Sequence, residues 1–528
     1  MTAPHPLEER GVVLHQDNYR CIQALSEFSE DWIIHRAAAN LNRIAGLVAA
    51  NRTAHAEWRA ALDPHIQRIV GTYQVQVLDT LRSWVGNPDQ YLTRDIANGF
   101  PLAGIIQPCG IWLPQRPEKT SPPEDLLDVI QHCTVGEPPY SVKFASHIWD
   151  KLISEVDKGR YIRLTRSEAP ANAVKNLTFA KDEGDIKCPS CKAKPQLAAD
   201  PCLKCKGIGT IRKYRVLGDY EVNRGTATME RMYSESLDGY VDLLKYLDYI
   251  LQAPLSPFKE DMESAFNTLA VLPAQRHLFA LWLKDPATGE EYCFIPVVLG
   301  FGSRPGPQQF SRVSHLLCTI ARQLLFIPCV YHIDDILGVE RKGRMSRIAQ
   351  ENLLSLCSIL GFAIADKSEP EDICMRGMNP LMNALGVNLS FPPARLPDRL
   401  ATASLPADKQ LRYIEQTDKV AHQATLRKTE AESITGRAVY VSSAIWGRVA
   451  RAYEFPFRKV AEGKDINKKM WQKAAKSLAE FYRNSQPRTI RPLGYTRPHA
   501  VIATDARGNL GDVWGTEHLG GVCFWTHH

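Results

Sequence analysis

Three carboxylates carry the first chemical suggestion in this chain. Asp334 and Asp335 are adjacent in Tyr331-His332-Ile333-Asp334-Asp335, between the apolar runs LLFIPCV and ILGV. Two acids between two apolar, strand-like segments suit the tip of a β-hairpin, although adjacent acids also occur in ordinary solvated turns. Asp261 lies 73 residues upstream of Asp334, at the end of another strand-like run. Two acids on a hairpin and a third on a neighbouring strand are the minimum for holding two Mg²⁺ ions at a phosphoryl-transfer site. There the cations clamp the attacking and leaving oxygens of an in-line displacement.

The segments around these acids resemble those of a reverse transcriptase. Lys213-Tyr214-Arg215-Val216-Leu217-Gly218-Asp219-Tyr220 is similar to the K-[WY]-R-x-x-x-D-[FY] strand of the fingers. Phe301-Gly302-Ser303-Arg304-Pro305-Gly306-Pro307-Gln308-Gln309-Phe310 is similar to the F-G-x-x-x-x-P-x-x-F segment under the nascent base pair. Gly361 to Lys367 resembles the G-x-x-x-x-D-K stretch, and Leu385-Gly386 the turn that grips the primer end. Together these cover roughly residues 175 to 390. Aligned on the acids, the family's Tyr falls on His332, and Tyr331 sits one place early. The run from Tyr220 to Asn223 is one residue shorter than usual, with Glu221 where an Arg is common.

The resemblance implies an α+β, right-hand polymerase of fingers, palm and thumb. Asp261, Asp334 and Asp335 would be the catalytic, Mg²⁺-binding acids. Lys181, Arg215, Gly302 and Lys367 would contact the incoming nucleotide. Phe266, five residues after Asp261 and preceded by Ala265, stands where the family places the ring that excludes a 2′-hydroxyl. The partners implied are a primed RNA or DNA template and dNTPs.

A second constellation lies inside the fingers segment. Cys188, Cys191, Cys202 and Cys205 form C-x2-C-x10-C-x2-C, which can give four thiolates to one tetrahedral Zn²⁺. The alternative is a redox pair or unpaired thiols on a loop. The stretch falls between Lys181 and Arg215, as an insertion at 186–210.

The elements that must position these groups are partly readable. Residues 1–145 carry helix-like apolar spacing in RCIQALSEFSEDWIIHRAAANLNRIAGLVAA and HIQRIVGTYQVQVLDTLRSWV, with no catalytic cluster. A Pro/Gly-rich stretch follows. SHIWDKLISEVDKGRYI predicts a helix ending near Gly159. We divide the rest into fingers and palm at 146–395, a helical and basic thumb or connection at 396–490, and a tail at 491–528. Residues 427–491 hold 15 Lys/Arg against 6 Asp/Glu, a net of +9 where the whole chain is +6. Such a segment, interleaved with Trp446, Tyr453, Phe455, Phe457, Trp471 and Phe481, suits a nucleic-acid duplex or a solvated helical surface.

In the tail, Ala503-Thr504-Asp505-Ala506 resembles the opening of a ribonuclease H domain, with Asp505 as its first carboxylate and without the later strands and helix that would carry its further acids. The chain is 44% hydrophobic and 23% charged, an ordinary globular composition. It shows neither an apolar signal core at its start nor an uncharged apolar run of membrane-spanning length. Thirteen scattered cysteines favour a reducing, intracellular compartment. The expectation is an RNA-directed DNA polymerase of an LTR-type or DIRS-like retrotransposon polyprotein. The alternatives are a decayed relic that only binds nucleic acid, or an RNA-dependent RNA polymerase.

Overall fold

The computed structural model describes residues 13–115, 145–187, 210–228, 230–232, 236–365, 381–446, 451–493, 500–504 and 522–526. They mix helix and sheet. Contacts divide the chain into two units. One comprises 15–236 and 257–378, the other 1–14, 237–256 and 379–528.

The first unit opens with six helices: α1 (Gln16–Glu27), α2 (Glu30–Ala50), α3 (Arg52–Ala61), α4 (Pro64–Val70), α5 (Val75–Trp84) and α6 (Leu92–Asn98). The two helical stretches legible in sequence are each interrupted by local chemistry. Ser29 caps α2 by accepting the Trp32 N–H, which starts a new helix after Phe28. Asp63 caps α4 by accepting from His65 and Ile66, with Pro64 at the first helical position. These helices are not a separate domain. Ile44, Leu78, Leu81 and Ile96 share one core with Phe258, Phe310, Leu317 and Leu356. A polar clamp reinforces the packing. The buried Arg312 guanidinium donates to both oxygens of Asp89, at 2.7 and 3.0 Å, and to Asp95 at 2.7 Å. A buried charge without such partners is costly, so the clamp fixes where α6 can lie.

After α7 (Ala145–Asp157), Gly159 turns the chain at φ +72°, as the helix-stop reading expects. Strands β2 (Tyr161–Thr165), β7 (Leu281–Lys284) and β8 (Glu291–Pro296) form an antiparallel sheet in the order β2-β8-β7. A long hairpin joins β3 (Leu177–Lys187) to β4 (Thr210–Asp219). The short strands β1 (Gly104–Ile106) and β5 (Thr226–Thr228) pair in parallel. The sheet that matters most is β6 (Leu255–Asp261), β10 (Asp335–Arg341) and β9 (Cys329–His332), in the order β6-β10-β9. Helices α9 (Gly306–Leu324) and α10 (Arg344–Leu360) belong to the same unit; α8 (Leu237–Leu251) belongs to the other. Gly338 on β10 is required by that sheet, since a Cβ there would lie 2.2 Å from the Phe258 ring.

Glu340, at the far end of β10, is fully buried. Its Oε1 accepts the Arg341 N–H at 2.8 Å, while its Oε2 has no hydrogen-bond partner among the described residues. Burial pushes its carboxyl up to about 7, against the pull of Arg341. Between the ordinary glutamate range and about pH 7 the folded chain therefore holds a proton that the unfolded chain releases, so stability declines as pH rises through that window. Glu340→Gln should flatten the decline and raise stability above pH 7 by about 2–3 kcal/mol. Denaturant titrations of both proteins at pH 5 and pH 8 would check this; equal pH dependence would refute it.

The second unit carries the antiparallel sheet β11 (Leu381–Ala384), β12 (Val387–Ser390), β13 (Ala401–Ser404) and β14 (Arg488–Ile490). It also holds α11 (Ala407–His422), α12 (Lys428–Val441), α13 (Arg451–Ala461) and α14 (Lys468–Arg483). The helix-rich reading of 408–485 agrees with this. Leu385 and Gly386 form the two-residue turn between β11 and β12, both at positive φ, as a hairpin of the primed type requires. The Tyr440 hydroxyl donates to the Leu385 carbonyl. Phe457 and Trp471 are buried, so these aromatics of the basic segment are core. Strand β15 (Ala500–Thr504) pairs antiparallel with β16 (Val522–Thr526).

Candidate active site

Strand pleat and turn geometry place the three acids read from sequence. Along β6, Phe258 and Glu260 are buried while Lys259 and Asp261 are half-exposed, the alternation of a strand with one open face. Lys259 and Asp261 therefore stand on the same face. On the hairpin, His332 and Asp335 are paired positions, which leaves Ile333 and Asp334 as a two-residue turn. The Met262 N–H donates to the Asp334 carbonyl at 3.4 Å, which ties the end of β6 to that turn. The next strand-like piece also docks there. Ala365 N–H donates to the Asp261 carbonyl at 2.8 Å, Glu263 N–H to the Ala363 carbonyl at 3.0 Å, and Met262 bridges Ile364.

Electrostatics show that the acids crowd. The Asp334 carboxyl is raised above its ordinary range, first by burial and then by the like charges of Asp335 and Asp261, with Lys259 opposing. Asp335 has a cation of its own, since Lys259 Nζ donates to its Oδ2 at 2.8 Å and both side chains are 18% exposed. Among the described residues, no three His, Cys, Asp or Glu side chains form a ready metal-holding group. The donor chemistry nevertheless fits a divalent cation. A desolvated carboxylate among like charges is relieved by a cation close to Asp334 and Asp261.

The turn is strained. Ile333 has φ +58°, where a β-branched residue pays about 1–2 kcal/mol relative to an ordinary conformation. Its side chain packs against the core, and its carbonyl accepts a hydrogen bond from the buried Ser314 hydroxyl on α9. Tyr331 is buried and meets the His315 ring edge-on at 5.9 Å; His332 is the aromatic that sits opposite Asp335.

Phe266 lies in the 3₁₀ turn Ala265–Thr268 that follows Asp261, entered through Ser264 at φ +57°. Its half-buried ring meets Phe301 edge-on at 5.4 Å and Phe310 at 5.9 Å. The segment Phe301–Phe310 is thus gathered beside it. Gly302, at φ +107°, admits no side chain, because a Cβ would lie 2.0 Å from the Gly218 carbonyl oxygen. Asn223 holds the loop by donating to the Gly302 carbonyl at 2.8 Å and accepting the Arg304 N–H at 2.9 Å. Arg215 stacks over the Phe301 ring at 5.0 Å, and the β3–β4 register sets Lys181 opposite Arg215.

No protein-family model matches the chain, and no curated protein does. Among solved structures, the chain is similar to a foamy viral protease–reverse transcriptase in complex with double-stranded DNA, at 12% identity and a TM-score of 0.40, over 78% of this chain and 61% of that one. It is similar also to a foamy viral protease–reverse transcriptase in complex with an RNA/DNA hybrid, at 12% identity and a TM-score of 0.41, over 78% of this chain and 46% of that one. The chain therefore spans less than two thirds of the length of either.

Cys188, Cys191, Cys202, Cys205, Lys367 and Asp505 lie outside the described residues. Cys21, Cys109, Cys293, Cys318, Cys329 and Cys357 are buried and form no disulfide among the described residues. No described helix is long and apolar enough to cross a membrane. Sequence reasoning missed Lys259, which the two-residue spacing to Asp261 could have flagged. It also missed Ser314 and Asn223, whose partners Ile333 and Gly302 are 19 and 79 positions away.

Proposed function

We propose that this chain is an RNA-directed DNA polymerase of retroelement type, which joins dNTPs to a primer 3′-hydroxyl with release of pyrophosphate. The observation that carries the reading is the convergence of Asp261, ending β6, with Asp334 in the hairpin turn and Asp335 at the start of β10. Asp261 and Asp334 would hold the Mg²⁺ ions, which supply charge neutralisation at the α-phosphate and acidify the attacking hydroxyl. Asp335 supports them from its ion pair with Lys259. Lys181, Arg215 and Lys367 meet the triphosphate, Gly302 lies under the nascent base pair, and Phe266 bars a 2′-hydroxyl. Primed RNA and DNA templates with Mg²⁺ and dNTPs test this directly: extension of the primer is expected, and none on either template would overturn it.

The Lys259–Asp335 ion pair also favours a second reading, a relic that binds primed template without extending it. Template binding with no extension would select that reading. An RNA-dependent RNA polymerase is disfavoured by the ring at Phe266.

Cys188, Cys191, Cys202 and Cys205 would hold a structural Zn²⁺. Protein prepared without chelator should carry about one Zn²⁺ per chain, lowered by Cys202→Ser. Elemental analysis finding no zinc would remove the site.

The basic helices would bind the duplex backbone. Lys468 and Lys469 are exposed at the start of α14. Reversing both charges should reduce the slope of log affinity against log salt by about 2, without altering sequence preference. A fluorescence titration with an unchanged slope would mean that these lysines are merely solvated.

A further inference from the structure

We infer that Ser314 is a positioning residue, which holds the Asp334-bearing turn in its strained form by donating its hydroxyl to the Ile333 carbonyl. The inference rests on the polymerase reading only for its kinetic arm.

A two-residue turn with positive φ at its first position is one that glycine adopts freely. Here the position is Ile333 at φ +58°. A β-branched residue persists there only if its surroundings over-determine it. Two anchors do so: the side chain packs on the core, and Ser314 captures the carbonyl. The carbonyl belongs to the peptide that leads into Asp334, so capturing it sets the plane from which the Asp334 Cα departs. Met262 N–H takes the Asp334 carbonyl on the other side. The peptides before and after Asp334 are thereby both held.

Ser314 can act this way because α9 is itself immobilised. Two positions earlier, Arg312 is locked by Asp89 and Asp95 from the N-terminal helices. One position later, His315 Nδ1 lies 2.9 Å from Asn87 Nδ2. The N-terminal region, which carries no catalytic group, thus acts on the site through α9. Ser314 is wholly buried, so no water can replace its hydroxyl at the Ile333 carbonyl.

The test is a cycle of Ser314→Ala, Ile333→Gly and the double variant. Glycine needs no holding at positive φ, so it removes the need for the hydroxyl. Ser314→Ala should lower kcat for primer extension roughly 10- to 100-fold, the cost of a misplaced reacting group, with KM for dNTP changed less than about twofold. The double variant should return to within about threefold of Ile333→Gly alone. Amide hydrogen exchange across His332–Asp335 should rise in Ser314→Ala over wild type, while the double variant should exchange little faster than Ile333→Gly alone, in which the turn no longer depends on the hydroxyl. That measurement needs no substrate, so it decides the positioning claim even if the wild-type chain extends no primer. If exchange in Ser314→Ala matches wild type, or if Ser314→Ala speeds exchange as much on the Ile333→Gly background as it does on wild type, the hydroxyl does not hold the strained turn and the inference is overturned.

Discussion

Asp334→Asn should lower Mg²⁺-dependent primer extension by about 1,000-fold or more while leaving the protein at least as stable as wild type. The first half follows from charge. The side chain is approximately isosteric, but it withdraws a negative ligand from a site that must hold cations against the phosphate. The second half follows from the direction of the Asp334 shift. Burial, then Asp335 and Asp261, raise its carboxyl above the ordinary range. Its ionised form is therefore disfavoured in the fold, and a neutral amide removes that penalty at neutral pH. Asp261→Asn should lose activity to a similar degree. Asp335→Asn should be milder in rate but less stable, because it gives up the ion pair with Lys259. Single-turnover extension and thermal unfolding on the same samples would separate these patterns. Extension by Asp334→Asn at the wild-type rate would sink the metal assignment.

Phe266→Val should admit ribonucleotides. The ring is half-buried, packed on one side by Phe301 and Phe310. The two aromatic neighbours restrict its turning away, so on the proposed reading a ribose 2′-hydroxyl arriving on its open side would meet its edge. Valine removes that edge. Incorporation of rNTPs relative to dNTPs should rise about 10- to 100-fold, in line with the steric discrimination a small pocket can supply. Use of dNTPs should fall only a few-fold, and stability by about 1–2 kcal/mol for a partly buried large-to-small change. Competing rATP against dATP on one primer would measure this. Wild-type protein that uses both equally, or a variant that discriminates as well as wild type, would revive the RNA polymerase alternative.

Among the site residues, those legible in sequence were the ones whose chemistry repeats over short distances. Asp334-Asp335 between apolar runs foretold a hairpin, and the register confirms a two-residue turn there. Asp261 and Phe266 were placed by a fixed local offset, and the structure keeps that offset as a strand end followed by a 3₁₀ turn. Gly302 and Leu385-Gly386 were read from the family resemblance, and the structure adds that each of these positions has positive φ.

The rest depended on distance along the chain. The role of the N-terminal helices was not legible, since amphipathic spacing says that a face is buried but not against what. Only the folded core joins Leu78 and Leu81 to Leu317, and only there do Asp89 and Asp95 find Arg312. Lys259 looked like one more charged residue until the β6–β10 pairing brought it to Asp335. Glu340 ended an ordinary strand until burial moved its titration to about 7. Local sequence thus determined the residue types, the turn and the offsets of the candidate site. Tertiary structure alone decided which charges meet, which are desolvated and which hydroxyl holds the turn, because those energies depend on neighbours that the backbone brings together from far apart in the chain.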